Sequence, residues 1–445
     1  MSGEGLARRV LGTAVEDPLP RTRRRPGRGP STPQEQEGTV PSFAVVGAGI
    51  IGAAVARELT LRFPGAAVTV FEKEPQVAAH QTGHNSGVVH AGLYYEPGGL
   101  KARLCRRGAT LLQRFCADRE LPYEECGKLV VALDAAEEAR LEAIHERAVA
   151  NGVPDVRMLG PEGIREVEPR AVGRAALHSP HTAIVDYARV TRALADDVVA
   201  AGGTVHLGTP VRRIGGTATG AIVHTDRGRH SFDLVVVCAG LQSDRLARAS
   251  GGEEEPAIVP FLGQYFLLDP AHRDHVRGLV YPVPDPRYPF LGVHLTRRID
   301  GETTVGPNAF LSLSREGYRG LGLAPKDALE TVAHPGFRRF AARNLPTAAR
   351  EIRTVLSRRW FLEEAQRYVP SLAGAGTTRV PRGIRAQAMT RDGALVDDFV
   401  IQHRGRVTHV RNAPSPGATS SLAIAEHIVA AAAREHGLPI IPGGQ

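Results

Sequence analysis

Apolar and polar positions alternate between two rhythms along this chain. Phe43–Val46 is a short continuous apolar run, the signature of a buried strand. The turn Gly47–Ala48–Gly49–Ile50–Ile51–Gly52 follows, and Ala53 to Arg62, rich in Ala, Leu, Glu and Arg, reads as a helix stopped by Pro64 and Gly65. Val68–Phe71 is a second apolar run and ends on Glu72. Residues 43–72 therefore predict a strand–turn–helix–strand unit. Further on, Leu234–Val237 is a third buried strand running into Cys238–Ala239–Gly240, and Ser421–Glu435 is a helix with Gly437 and Pro439 as stop signals. Lys128–Leu133 reads as a strand, and Asp134 is placed to cap a helix from Ala135 to about Ala150, with Glu137 three residues on. From about Pro260 to Val380 the chain is rich in turns, Pro, Tyr and Phe, as expected of a second sheet followed by helices. No internal repeat is found.

This order predicts an α/β protein: a Rossmann-like dinucleotide-binding domain with a second, α+β domain built on a mixed or antiparallel sheet. Both are discontinuous. Residues 42–120, 185–258 and 375–440 are assigned to the first, and 121–184 and 259–374 to the second. Residues 1–41 stand apart as a disordered basic and Pro-rich arm, because they hold too little apolar surface to offset their ordering entropy.

Composition narrows the function. With 42% apolar and 23% charged residues, the 445-residue chain is ordinary globular material, and no apolar run approaches the roughly 18 residues of a membrane span. The net charge of +8 fits an acidic ligand or an anionic surface better than nucleic acid, since neither zinc-finger spacing nor aromatic interleaving accompanies the arginines. Cys105, Cys116, Cys126 and Cys238 show no metal spacing, so free thiols in a reducing compartment and no metal site are expected. The arm lacks the apolar middle of a signal peptide. A cytoplasmic location is expected, and the run Arg21–Thr22–Arg23–Arg24–Arg25 offers peripheral attachment to the inner face of the cell membrane.

The candidate chemistry starts at the glycine turn. In GxGxxG, Gly47 permits the tight turn, Gly49 lets a pyrophosphate approach, and Gly52 lets the helix pack against the strand. Glu72 stands twenty positions after Gly52, where a carboxylate can bond ribose hydroxyls. Three later features favour FAD over NAD. Gln81–Thr82–Gly83–His84–Asn85–Ser86–Gly87 is a polar loop suited to a flavin ring and ribityl chain. Cys238–Ala239–Gly240 is a second strand–glycine contact. Asn412–Ala413–Pro414–Ser415–Pro416–Gly417 leads into a helix whose N-terminus can stabilise negative charge on reduced flavin. The predicted cofactor set also includes Ile51, Lys73, Val211, Ala418 and Thr419.

The stretch His84–Asn85–Ser86–Gly87–Val88–Val89–His90–Ala91–Gly92–Leu93–Tyr94–Tyr95 resembles the L-2-hydroxyglutarate dehydrogenases, also called oxidases, flavoproteins of the D-amino-acid oxidase (GR2) type. Cys126–Val130, Gly263–Phe266, Tyr281–Pro286, Leu291–Arg297, Gly383–Gln387 and Asn412–Pro416 agree, so the resemblance spans about residues 42–435. It departs at Gln264, where Glu is expected, and at Gly417, where Ala is expected. The resemblance implies oxidation of L-2-hydroxyglutarate to 2-oxoglutarate, with hydride passing to FAD and electrons going on to a quinone, oxygen or a soluble carrier. A related oxidase or dehydrogenase acting on an amino acid or glycerol phosphate is the alternative. A small dicarboxylate 2-hydroxy acid needs bidentate cations and a base. Arg385 and Arg297 are the candidates for the carboxylates, and Tyr265 and Tyr281 are candidate hydrogen-bond donors. His90 and His294 are the candidate bases, the latter expected at the end of a strand Phe290–Val293. His84 is expected to belong to the flavin loop.

Overall fold

The computed structural model describes residues 40–285, 292–307, 309–319, 322–344 and 358–441. The run 21–25 and residues 290 and 291 lie outside them. The first strand, Ser42–Val46, lies between Leu234–Val237 and Ala67–Phe71, parallel to both. Thr204–His206 and Val407–Asn412 extend this parallel sheet at either side, and the antiparallel Val400–Arg404 closes it as a six-stranded unit.

Strand periodicity assigns its two faces. Phe43 and Val45 join Val68, Val70, Leu234 and Val236 on the side covered by helices Ile50–Arg62, Tyr187–Ala200, Leu100–Asp118 and Ser421–His436. The intervening Ala44, Val46, Val235 and Val237 pack on the opposite side against the antiparallel meander Val211–Gly216, Ala221–Thr225, Gly228–Phe232. The first helix begins at Ile50, three residues before the expected start, because the glycine turn already supplies its first residues. The last helix ends on Gly437, in the left-handed conformation at φ +61°, as its stop signal implies.

A second, eight-stranded sheet has the order 377–379, 266–268, 303–306, 294–297, 279–282, 128–132, 175–179, 157–159. It is mixed. Lys128–Ala132 runs parallel to Leu279–Pro282, whereas the other pairings are antiparallel. The Ala135–Ala150 helix has its predicted cap, Asp134 Oδ1 accepting from the Glu137 N–H at 2.8 Å. Leu129 and Val131 point to one core with Phe361 and Leu372, and Val130 and Ala132 to another with Leu141 and Ile144. In a separate three-stranded sheet, Ala257–Gly263 pairs with Gly383–Met389 and brings Arg385 opposite Phe261.

A buried ion pair joins the chain between these two strands to the helix Ser243–Ala249. Arg315 bonds the carboxylate of Asp244, and both side chains are almost fully buried. Arg315 also donates to the Leu241 carbonyl at 2.6 Å and the Ile258 carbonyl at 3.2 Å.

Candidate active site

A cavity of ≈1290 Å³ extends from the glycine turn to the eight-stranded sheet. Sites for drug-sized ligands span roughly 300–1,000 Å³, so this one has room for an extended molecule and a small second one.

At its first end, Gly47 has φ +101°, and a Cβ there would lie 2.4 Å from the Cys238 carbonyl oxygen. A Cβ on Gly52 would lie 1.9 Å from the Gly47 oxygen. These two glycines let helix and strands close on each other. Gly49 differs: a Cβ there meets only Thr82 Oγ1, at 3.3 Å, and otherwise occupies cavity space. The first helical turn, Ile50 to Gly52, lines the cavity with its positive dipole end. Glu72 is buried and aimed: Oε2 accepts from the Ala48 N–H at 2.7 Å and Oε1 from the Glu74 N–H at 2.9 Å. Lys73 Nζ lies 3.0 Å from Glu316 and bonds Glu74, so the ammonium is itself the cation of the Glu74–His80–Glu316 cluster at the rim.

In the middle, Asn85 organises the polar loop. Its Nδ2 donates to the Thr82 carbonyl at 2.6 Å, and its Oδ1 accepts from the Gly87 N–H at 2.8 Å. Thr419 Oγ1 accepts from the His90 N–H at 3.1 Å and shares a 3.0 Å hydrogen bond with the Tyr187 hydroxyl, which ties the C-terminal turn to the 84–95 stretch.

At the far end, the sheet register brings the reactive groups together. Leu279 lies opposite Thr296 and Val280 opposite Leu295, which sets Tyr281 beside His294. The two rings are stacked at 3.8 Å. His294 Nδ1 is 2.9 Å from the Gly292 carbonyl. A carbonyl only accepts, so Nδ1 carries the hydrogen and Nε2 keeps its lone pair. Burial, with Lys128 and Arg385 adding positive charge, pushes His294 down to about 3. His90 is driven to about 3 by desolvation, then by the same two cations and Lys101. Both rings are therefore neutral near pH 7. Arg385 lines the same space and donates to the Tyr265 hydroxyl.

The model for the family described as "FAD dependent oxidoreductase" matches residues 42–431. The chain belongs to that family. This flavoenzyme is 42% identical over 399 residues, 86% of each chain, to the mitochondrial L-2-hydroxyglutarate dehydrogenase of Homo sapiens. It is 43% identical over 388 residues to the L-2-hydroxyglutarate dehydrogenase of Salmonella houtenae, covering 87% of this chain and 92% of that one. Among solved structures, the FAD-bound L-alpha-glycerophosphate oxidase of Mycoplasma pneumoniae superposes with a TM-score of 0.70 at 22% identity, covering 91% of this chain and 97% of that one. Glycine oxidase from Geobacillus kaustophilus gives 0.66 at 18% identity, over 91% and 99%. At such identities the likeness shows the shared fold.

The residues present fit FAD. The open space at Gly49 suits the pyrophosphate, the oriented Glu72 carboxylate suits the ribose, and Ala239, Gly240 and Pro416 to Thr419 line the remainder of the flavoenzyme's cavity. Ile51, Lys73, Thr82, Asn85, Ser86 and Val211 also line it.

Three expectations need correction. Gly87 is not part of the lining; a Cβ there would strike the Val185 carbonyl at 2.7 Å, so it is a packing glycine. Arg297 is also outside the lining and forms an ion pair with Glu124 at 3.3 Å. Strand alternation explains this, because Arg297 shares the face of Leu295, opposite to that of His294. His294 opens the strand His294–Arg297 rather than ending one. Sequence reasoning missed Lys101, Tyr95, Tyr187 and Gln387 in the wall, and Lys128 behind it. Only Lys128 left a signal: a lysine on the inward face of an otherwise apolar strand.

Gln264 donates from Nε2 to the Tyr265 carbonyl at 2.7 Å and the Val380 carbonyl at 3.3 Å, which a carboxylate could not do. A Cβ on Gly417 would lie 2.9 Å from the Ala413 oxygen, so glycine suits this turn as built. All four cysteines are free. Among the described residues, no helix is long and apolar enough to cross a membrane.

Proposed function

We propose that this chain oxidises L-2-hydroxyglutarate to 2-oxoglutarate. The observation that carries the reading is the joint presence, in one cavity, of a histidine with a fixed acceptor nitrogen and an arginine suited to a carboxylate. The printed names of relatives at 42–43% identity support the substrate. When bound, FAD supplies the hydride acceptor. Arg385, with Tyr265 hydrogen-bonded to it, holds one carboxylate through its planar fork. His294 Nε2 accepts the proton of the substrate hydroxyl, and its stack on Tyr281 keeps the ring from turning away. His90 supplies a second neutral imidazole to the same wall.

In this reading residues 42–120, 185–258 and 375–440 hold the cofactor, 121–184 and 259–374 form the substrate domain and supply Tyr265, Tyr281 and His294, and Arg385 and His90 reach the substrate from the cofactor segments. Electrons leave for a quinone, oxygen or a soluble carrier. The basic arm supports a cytoplasmic enzyme attached peripherally to the inner face of the membrane. An amino-acid or glycerol-phosphate substrate has weaker support, resting on structural likeness at 18–22% identity.

Anaerobic mixing with each enantiomer of 2-hydroxyglutarate tests the reading. The L form should bleach the flavin absorbance and yield 2-oxoglutarate. With one carboxylate held by Arg385 and the hydroxyl directed at His294, only one configuration turns its hydrogen toward the hydride acceptor. Equal reduction by both forms, or by neither, would refute it.

A further inference from the structure

Lys128 is the first residue of a strand whose other members are apolar, and it is 3% exposed. Its Nζ lies 3.9 Å from the centroid of the Tyr281 ring and 4.8 Å from that of Tyr94. His294 already stacks on Tyr281 at 3.8 Å, and two groups this close to one centroid cannot share a face. Lys128, Tyr281 and His294 therefore form a sandwich, with the amine one ring's thickness behind the cavity wall.

Among the described residues, no carboxylate lies within ion-pair distance of Lys128. A space of ≈10 Å³, about one water, adjoins it and is lined by His90, Tyr94, Tyr95 and Thr182. The Tyr94 hydroxyl beside it is buried without a hydrogen-bond partner in the described residues. The ionisable groups facing the amine from neighbouring elements are thus His90, Tyr94 and Tyr95 from the 84–95 stretch, Tyr281 and His294 from the adjacent strands, and Arg385 beyond them. None supplies negative charge near pH 7.

We propose that Lys128 is a switchable counter-charge behind the substrate site, neutral when the cavity holds no anion and protonated when a dicarboxylate enters. It rests on the dicarboxylate reading above and adds a proton to it. Burial alone lowers the amine to about 7, so in the empty site at pH 8 it is mainly uncharged. A dianion arriving beyond Tyr281 supplies the missing negative charge and raises its affinity for a proton. The N–H bond forms at Nζ with a proton taken from solvent, and the aromatic faces accommodate the cation. By linkage, a group whose affinity for protons rises on binding makes binding tighter as pH falls from the bound value toward the free one, with no further gain below about 7. Lys128 touches no substrate in this scheme. It is a positioning residue acting through the Tyr281–His294 stack.

The test uses FAD-loaded protein and glutarate, a dicarboxylate with no hydroxyl to oxidise. Calorimetry at pH 8 in two buffers of different ionisation enthalpy counts the protons exchanged on binding. The wild type should take up a proton, and its glutarate Kd should weaken by up to about tenfold per pH unit above 7. Lys128→Met, checked for retained flavin, should lose the uptake and show a flat Kd. Glutarate binding to the wild type without proton uptake overturns the role of Lys128 and leaves the dicarboxylate reading standing. Uptake that persists in Lys128→Met overturns it also, in favour of a histidine. Failure of glutarate to bind the wild type removes both.

Discussion

His294 and Tyr281 stack with their planes 20° apart, on neighbouring strands of the eight-stranded sheet. The Gly292 carbonyl holds Nδ1 at 2.9 Å, so two independent contacts define the ring plane and the tautomer. A base held in this way loses little freedom when substrate arrives, and orientation of that kind is a large part of what an active site contributes. His90 is held differently: its backbone, rather than its ring, makes the bonds to Thr419 and Cys105.

Gly49→Val should yield a colourless protein. A side chain at Gly49 meets little protein and instead fills the space assigned to the pyrophosphate, whereas at Gly47 or Gly52 it would strike backbone. The loss should therefore appear in flavin content while the far-ultraviolet circular dichroism stays close to wild type. Retention of stoichiometric FAD by this variant would show that the pyrophosphate lies elsewhere.

Arg385→Lys should raise KM for the dicarboxylate by roughly tenfold, since lysine keeps the charge and loses the bidentate fork. The limiting rate of flavin reduction should change less. An unchanged KM would separate Arg385 from the carboxylates and leave its contact with Tyr265 as its role.

Much of the cofactor end was legible in the sequence because a dinucleotide constrains residues close together in the chain. Gly47, Gly49 and Gly52 sit at one turn and the helix start after it, and Glu72 directly follows the next strand, whose last residue Phe71 pairs with Val46. The substrate end was less so. His294, Arg385 and His90 come from three separated segments, and no spacing rule joins them. Arg297 lies off the site by parity, since in the strand His294–Arg297 it falls on the face opposite to His294, and a strand this short leaves no periodicity in the sequence to show it. A lysine at the start of a strand ordinarily faces water, so the weak signal of Lys128 in an apolar strand does not by itself place it in the interior. Only the pairing of Lys128 opposite Leu279 and Ser179 shows both sides of its strand covered.

Arg315→Ala should destabilise the fold by about 3–5 kcal/mol, the cost of leaving a buried charge without its partner. Burial alone would raise the Asp244 carboxyl, but the hydrogen bonds and charge of Arg315 outweigh it and hold Asp244 below its ordinary value. A carboxyl lowered by folding adds stability above its unfolded value of about 3.9, and that contribution fades as pH falls through the folded value. Without Arg315 the carboxyl rises, so the variant should unfold at a less acid pH than wild type. Coincident acid-unfolding curves would show that the pair contributes nothing measurable.

The two histidines should separate in single-turnover experiments. His294→Ala removes the imidazole whose acceptor nitrogen is fixed, and reduction of the flavin by L-2-hydroxyglutarate should slow by roughly a hundredfold or more, the lower range for a general base. His90→Ala should slow it less, because no ring hydrogen bond to a described residue sets the orientation of His90 for proton transfer. Binding of glutarate separates chemistry from affinity: it has no hydroxyl proton to lose, so its Kd should change little in His294→Ala while the reduction rate falls. A parallel loss of glutarate binding would make His294 a carboxylate ligand instead. If His90→Ala alone abolishes reduction, the base is the other imidazole, and the stack on Tyr281 serves to shape the wall. If both variants reduce flavin at the wild-type rate, neither histidine takes the proton.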